Sequence, residues 1–260
     1  MYDSYLYFPA TAALYTLTVA AVMFFIAGAF VSVTLWFKGK APSLHHVLNS
    51  AAIIKAFIFD CLLQVQILKV SFVRWLMHFC IFIGFLGLFA QTTVMALASH
   101  FISPDTALAR TMFESPGSPA GGFGARVLDV WGDFFGLMLI AGLAIAIVRR
   151  YIIKTKQLET IQKDTLSICL LTTIALTGFL CEGLRLTNPV YADVAAYSFV
   201  GNSIAGFFKS MGFAAAVYTP WVWVHALVSL FFCGYIPFSK AWHVIVSPIE
   251  IVIDASERAH

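Results

Sequence analysis

The sequence contains few charged residues. Only 11% of its 260 residues are Asp, Glu, Lys or Arg, whereas 60% are hydrophobic. A water-soluble domain of this length carries roughly 25% charged residues, so the composition argues against a soluble globular domain and against a disordered or collagen-like chain. The net charge of only +3 also argues against a basic nucleic-acid-binding surface. The class that remains is an integral membrane protein.

The sequence also shows neither CxxC pairs nor the features expected of a removable leader. The five cysteines form no CxxC pair and lie mainly in apolar runs, where cysteine behaves as a small buried hydrophobic residue. We therefore predict no disulfide framework, zinc site or iron–sulfur site. The N-terminus lacks the basic segment and the small-residue cleavage pattern of a signal peptide, so the first apolar run is expected to remain as a membrane span.

Long apolar runs dominate the sequence instead. A spanning helix needs about 20 mostly apolar residues, and five windows qualify. These windows predict an all-α integral membrane protein, folded as one five-helix bundle over residues 1–260. They cover approximately residues 10–37, 75–102, 127–148, 166–184 and 213–246.

Two further apolar segments are too charged or too short to span. Segment 44–73 is interrupted by Lys55, Asp60 and Lys69, which predicts an amphipathic helix in the membrane interface, with a sixth span as the alternative. Segment 194–208 is short and contains two glycines, which indicates an interfacial or re-entrant stretch.

Basic residues are unequally divided between the ends of the spans. Cytoplasmic loops are enriched in Lys and Arg, so we predict an outside N-terminus and a cytoplasmic C-terminus in the cytoplasmic membrane of a prokaryote. The inner side then holds Lys38, Lys40, Lys55, Lys69, Arg74, Arg149, Arg150, Lys154, Lys156, Lys163, Lys240 and Arg258. The outer side holds Arg110, Arg126, Arg185 and Lys209.

Histidines in and beside the spans are the candidate functional residues, because ionisable groups inside a bilayer are costly and usually functional. On a continuous helix, His225 and His243 would project from one face about 27 Å apart. His78 lies at the cytoplasmic start of the antiparallel second span, near the depth of His243, and His100 lies at its outer end. Imidazole is a common axial ligand of haem iron, so the pattern predicts two b-type haems, one near each leaflet.

Other functions for these histidines stay open. A single histidine in a span can be a proton relay or a packing residue, and His100 can be a solvated helix end. A haem-free membrane anchor that binds quinone or lipid is therefore a second hypothesis. A small transporter or proton channel is a third, although the sequence shows no inverted repeat of the transporter kind.

Glu182 and Arg185 end the fourth span in the segment GFLCEGLRL. Their i,i+3 spacing places both side chains on one face of the helix. Beside an outer haem, a carboxylate and a guanidinium are candidates for binding a quinone carbonyl and passing its protons outward. A snorkelling interfacial ion pair is the alternative.

Three segments resemble a known family. HALVSLFFCGYIPFSKAWHVIVSPIE resembles the last span of the respiratory nitrate reductase gamma-subunit family of cytochromes b. DCLLQVQILKVSFVRWLMHFCIFIGFLGL and TGFLCEGLRL resemble the second and fourth helices of its heterodisulfide-reductase-type branch, which includes the HdrE, DsrM, TmcC and HmcE subunits. The resemblance covers most of residues 60–250. One departure is Leu88, which stands where the nitrate reductase pattern has a second histidine on helix two.

The resemblance implies two b haems between helices two and five, with His78, His225 and His243 as axial ligands and His100 as a further candidate. It implies a subunit of an anaerobic respiratory complex that passes electrons between menaquinone, or a similar lipid quinone, and a cytoplasmic iron–sulfur subunit. A periplasmic cytochrome c is a further candidate partner. Such a subunit does not turn over a soluble substrate alone, and no nucleic-acid partner is expected.

Overall fold

A computed structural model describes residues 12–39, 50–102, 106–113, 122–154, 162–212 and 217–257. The regular elements within these ranges are all helical. The α-helices are α1 (Ala12–Gly39), α2 (Ser50–Ala56), α3 (Val65–Val70), α4 (Phe72–Phe101), α5 (Ala107–Phe113), α6 (Phe123–Ile147), α7 (Gln162–Arg185), α8 (Ala192–Ala195), α9 (Phe199–Ser210), α10 (Tyr218–Tyr235) and α11 (His243–Glu257).

Five of the described helical segments are long and apolar enough to cross a membrane. In lipid, backbone N–H and C=O groups must be bonded within the segment itself, which a helix achieves. The prediction of a five-helix membrane protein is confirmed at this level. The segments are Ala12–Leu35, Phe72–Ala98, Phe123–Ile152, Thr165–Arg185 and Tyr218–Phe238.

The fifth helix differs from the prediction. The expected span over residues 213–246 is not one α-helix, because α10 ends at Tyr235 and two short 3₁₀ turns follow before α11 begins at His243. Pro237 lies in the first of these turns. Proline has no N–H to donate and its ring disfavours the interior of a helix. The assumption that His225 and His243 lie on one continuous helix is therefore wrong.

Contacts group the described residues into two compact units, and α4, α6, α7 and α10 each contribute to both. The first unit draws on the described residues within 1–14, 83–140 and 172–229, and the second on those within 15–82, 141–171 and 230–260. The expectation of a single domain stays a prediction.

Close packing of α4 against α6 organises the first unit. A β-carbon added to Gly84 would lie 2.7 Å from the backbone nitrogen of Leu139. The indole Nε1 of Trp131 donates to the carbonyl of Gly87 at 2.8 Å. Small residues let two helix backbones approach in this way, and Leu139 is almost completely buried as a result.

The segment that we expected to be interfacial or re-entrant is helical. Part of it forms α9, which packs within the first unit. Val194 and Ala205 are fully buried in an apolar core that also contains Ala98, Ala125 and Tyr191. These contacts hold α8 and α9 against the helices that carry the polar groups of this unit.

The second unit contains α2, α3 and α11. Residues Phe57–Leu62 form a π-helical turn after α2, and none of this stretch is among the five spanning segments. Residues 44–49 of the predicted interfacial helix lie outside the described residues. Helix α11 packs on α2, and burial raises the pKa of the Cys61 thiol. All five cysteines are free thiols.

The break after α10 is supported by α1 within the second unit. Ser32 Oγ donates to the carbonyl oxygen of Pro237 at 3.2 Å. A β-carbon on Gly28 would lie 2.6 Å from the Phe238 ring. A carbonyl released from the helix ladder thus finds a partner, as a backbone group at membrane depth requires.

Candidate functional site

His78 and His243 lie close together in the second unit. The centroids of their rings are 5.7 Å apart, and the ring planes are inclined at 48°. His78 is on α4 and half-buried, whereas His243 is exposed at the first residue of α11. The two imidazoles therefore come together although their positions in the chain are far apart.

In both rings the Nδ1 atom faces an acceptor. His78 Nδ1 is 3.0 Å from the amide oxygen of Gln64, and His243 Nδ1 makes a short hydrogen bond to the backbone carbonyl of Lys240. A carbonyl oxygen only accepts, so Nδ1 is the protonated nitrogen in each ring. Each Nε2 then keeps its lone pair, which is the form that binds a metal.

His225 shows the same arrangement in the first unit. Its Nδ1 is 2.9 Å from Thr177 Oγ1 on α7. The Thr177 hydroxyl also lies within hydrogen-bond distance of the carbonyl oxygens of Thr173 at 2.7 Å and Ile174 at 3.2 Å. With its proton donated to the backbone, the hydroxyl accepts from the Nδ1–H of His225, and in that tautomer Nε2 keeps its lone pair.

His78 and His243 are the residues that would hold a haem iron in the second unit. Their ring centroids are 5.7 Å apart, and metal–imidazole bonds are about 2 Å long, so the two rings are close enough together to offer two nitrogen ligands to one metal. Ligating histidines typically donate their other ring N–H to a carbonyl or carboxylate, and both rings here do so. The chemistry of this donor set thus suits b-type haem.

His100 cannot be placed in the same detail. It belongs to the last turn of α4, and its side chain lies outside what the structure describes. Its role as a candidate ligand stays a prediction.

A buried polar cluster surrounds Glu182 and Arg185 in the first unit. Arg185 Nη2 is 2.8 Å from Asp129 Oδ1 but 3.9 Å from Glu182 Oε1. The main partner of Arg185 is thus Asp129 on α6, which lies outside the i,i+3 pair considered from the sequence. Ser198 Oγ donates to Glu182 Oε1 at 2.7 Å. Asp133 Oδ2 accepts from the backbone N–H of Val200 at 2.8 Å.

The cluster combines three carboxyl groups with one guanidinium group. Asp129 and Asp133 are almost completely buried, and 17% and 12% of the side chains of Glu182 and Arg185 are exposed. Asp129 and Asp133 both act electrostatically on Glu182. Neighbouring buried carboxyl groups favour holding a proton between them. The cluster therefore places a hydrogen-bond donor, the guanidinium of Arg185, beside carboxyl oxygens that accept.

Sequence reasoning overlooked several of these residues. Asp129 and Asp133 are four residues apart inside a spanning segment, and that spacing on an apolar helix was a signal available in the sequence. Gln64, Thr177 and Ser198 gave no such signal, because only the tertiary fold brings them to their partners.

Comparison with known proteins identifies the family of the chain. The model of the family HdrE, the E subunit of dihydromethanophenazine:CoB--CoM heterodisulfide reductase, matches residues 54–251, well over half of the chain. This chain belongs to the HdrE family. The matched region includes His78, His225 and His243, and it also includes the buried polar cluster around Arg185.

Individual relatives agree with that assignment. The HdrE proteins of Methanosarcina mazei and Methanosarcina acetivorans are each 29% identical to this chain, over 220 and 218 residues respectively. Both alignments cover 84% of this chain and 73% and 72% of the relatives. The "EtfAB:quinone oxidoreductase" of Syntrophomonas wolfei is 26% identical over 249 residues, which cover 91% of this chain and 32% of that protein. No solved structure matches significantly.

Membership of the HdrE family confirms the resemblance to the heterodisulfide-reductase-type branch. Together with the five apolar helices, it identifies the chain as a multi-pass membrane subunit of a multi-subunit oxidoreductase. Electron transfer is the function consistent with such a subunit.

Proposed function

We propose that this HdrE-family chain is a dihaem b-type cytochrome subunit. It exchanges electrons between a membrane quinone pool and a cytoplasmic iron–sulfur subunit of a heterodisulfide-reductase-like complex. The observation that carries the proposal is the shared state of His78, His243 and His225. In all three, Nδ1 donates to an oxygen and Nε2 is left as a ligand.

The hydrogen bonds at Nδ1 indicate which residues would hold the haems through Nε2. His78 and His243 are the ligands of the site in the second unit, and His225 is a ligand in the first unit, with His100 as the candidate partner. Bound haem supplies one-electron transfer chemistry. The chain orients the imidazoles through Gln64 and the other oxygen acceptors described above.

The Glu182 and Arg185 cluster is the proposed quinone site. A quinone carbonyl needs a hydrogen-bond donor, and a hydroquinone needs acceptors for two protons. The guanidinium of Arg185 is a donor, and the carboxyl groups of Glu182 and Asp133 are acceptors. The names of two relatives include dihydromethanophenazine and a quinone, both redox-active ring compounds. We extend that substrate class to this chain.

The distribution of basic residues supports the orientation within this proposal. Lys38 lies near the end of α1, and Arg149 and Arg150 lie in the π-helical turn that follows α6. According to the positive-inside rule, these ends face the cytoplasm. The iron–sulfur partner then docks on that side, and the C-terminal end of α7 with its polar cluster faces outward.

Haem stoichiometry tests the proposal directly. We expect two b-type haems per chain when the detergent-purified full-length protein is quantified by a pyridine haemochrome assay. One haem per chain contradicts the dihaem assignment. If no haem is bound after purification under haem-retaining conditions, the cytochrome proposal fails and the haem-free anchor replaces it.

The quinone site has a separate test. Replacing Glu182 by Gln removes an acceptor for a hydroquinone proton but keeps the size of the side chain. We expect reduction of the chain by a water-soluble quinol analogue to slow by about 10-fold or more, with haem content unchanged. Stopped-flow absorbance measures this rate.

The matched control for Glu182→Gln is Glu250→Gln, which makes the same chemical change on the exposed surface of α11. Glu250→Gln should reduce at the wild-type rate. Equal rates for both variants would limit Glu182 to a structural role in its cluster.

A further inference from the structure

We infer that Gln64 is a positioning residue for His78. Its amide oxygen holds the imidazole with Nε2 offered as a ligand, and it increases the electron density that this ligand donates to a metal. The inference rests on the proposed haem binding at His78 and names a residue outside the ligand set.

The contact between the two side chains is partly buried and specific. Gln64 Oε1 is 3.0 Å from His78 Nδ1, and only 4% of Gln64 is exposed. Because Gln64 is buried and His78 is half-buried, both groups lose hydrogen bonds to water, so the pair is costly to separate. The ring of His78 is therefore held in one tautomer and one orientation.

Gln64 has a backbone conformation that is unfavourable for glutamine. Its φ and ψ angles are 52° and 42°, in the left-handed helical region. Most residues with a β-carbon are strained there; glycine adopts the region readily, and asparagine and aspartate do so more often than other residues. The Gln64 side chain makes no capping hydrogen bond to α3, so capping does not explain its presence. Its amide oxygen is directed at His78 instead.

Neighbouring hydrogen bonds fix Gln64 relative to α4. The indole Nε1 of Trp75 donates to the carbonyl of Leu63 at 2.7 Å. Trp75 lies on the first turn of α4, one turn before His78. The carbonyl of Gln64 itself accepts from the N–H of Ile67 at 3.0 Å at the start of α3. The amide is thus preorganised against the helix that carries the imidazole, as second-sphere partners of metal ligands typically are.

The expected consequence is spectroscopic. An acceptor at Nδ1 makes Nε2 more basic and stabilises the oxidised metal. Gln64→Leu removes the acceptor, and we expect the midpoint potential of one haem to become more positive and its occupancy to fall. The potential of the other haem should not change. Redox titration followed by reduced-minus-oxidised difference spectra resolves both haems in the full-length chain.

Two further variants separate the hydrogen bond from the backbone. Gln64→Gly favours the positive φ but also removes the acceptor, so we expect the same direction of shift as in Gln64→Leu. Gln64→Glu keeps an acceptor of the same reach, and we expect full occupancy with a potential at or below the wild-type value. Lys154→Gly is the matched control, since Lys154 is the other non-glycine residue with positive φ (49°) among the described residues and should leave both potentials unchanged.

Several results would overturn the inference. Wild-type potentials and spectra in both Gln64→Leu and Gln64→Gly would show that the amide does not act on a ligand. If Gln64→Gly kept the wild-type haem potential and occupancy while Gln64→Leu did not, position 64 would matter only for its backbone conformation. Loss of haem from the wild-type chain is a different failure, which removes the proposed function before Gln64 is tested.

Discussion

Replacing His243 by alanine is expected to halve the haem content of the purified chain. His243 and His78 form one candidate ligand pair, with ring centroids 5.7 Å apart. In the proposed haem site, removing either imidazole would take away one of the two protein ligands. We expect His78→Ala to produce the same loss and the same missing band in the difference spectrum. The double variant should lose no more haem than either single variant, because both residues serve one site.

His225→Ala provides the comparison within the same chain. His225 belongs to the first unit and donates to Thr177, so we expect it to remove the other haem and leave the His78 and His243 band intact. Combining His225→Ala with His243→Ala should give a haem-free protein. If His243→Ala and His225→Ala removed the same spectral band, the assignment of the histidines to two separate sites would be wrong. His100→Ala then identifies the partner of His225.

Replacing Arg185 by leucine is expected to destabilise the chain by about 3–5 kcal/mol, the cost of leaving a buried charge without its partner. Arg185 Nη2 is 2.8 Å from Asp129 Oδ1, and their side chains are only 12% and 4% exposed. Asp129 sits in a cluster with two other carboxyl groups, so the loss of the guanidinium removes the cation that offsets their charge. Thermal unfolding in detergent measures the effect.

A double-variant cycle distinguishes the buried charge from lost packing. Arg185→Leu combined with Asp129→Leu removes both charges, and we expect it to recover much of the stability, because apolar replacements of a buried ion pair are often tolerated. Lys209→Leu is the control for removing an exposed cation from the same unit and should change stability by about 0.5 kcal/mol or less. Equal effects of Arg185→Leu and Lys209→Leu would contradict the energetic role of the ion pair.

The spans were predictable because their signal is local. A run of apolar residues of sufficient length is recognisable without knowing its neighbours, and each of the five windows overlaps a described helical segment of the required length. The break at Pro237 was not predicted, although proline inside a helical pattern is a known interruption. Because the apolar run continues on both sides of Pro237, the segment was interpreted as one continuous span.

The site was predictable only in part. The positions of His78 and His243 at the cytoplasmic ends of their segments predicted a similar depth in the membrane. In the structure their rings lie close together. Asp129 and Asp133 were not predicted, although their spacing of four residues on an apolar span is visible in the sequence. Gln64 and Thr177 could not have been selected, since their importance arises from hydrogen bonds across separate elements. Long-range pairing of this kind leaves no trace in local composition.

The pairing of position 78 with position 243 also has a consequence for biogenesis. A ribosome releases the chain from its N-terminus, so His78 enters the membrane long before α11 has been synthesised. The pair can form only after His243 has been synthesised, 165 residues after His78, whereas His225 and Thr177 are separated by only 48 residues. The contact between His225 and Thr177 can therefore form before the contact between His78 and His243.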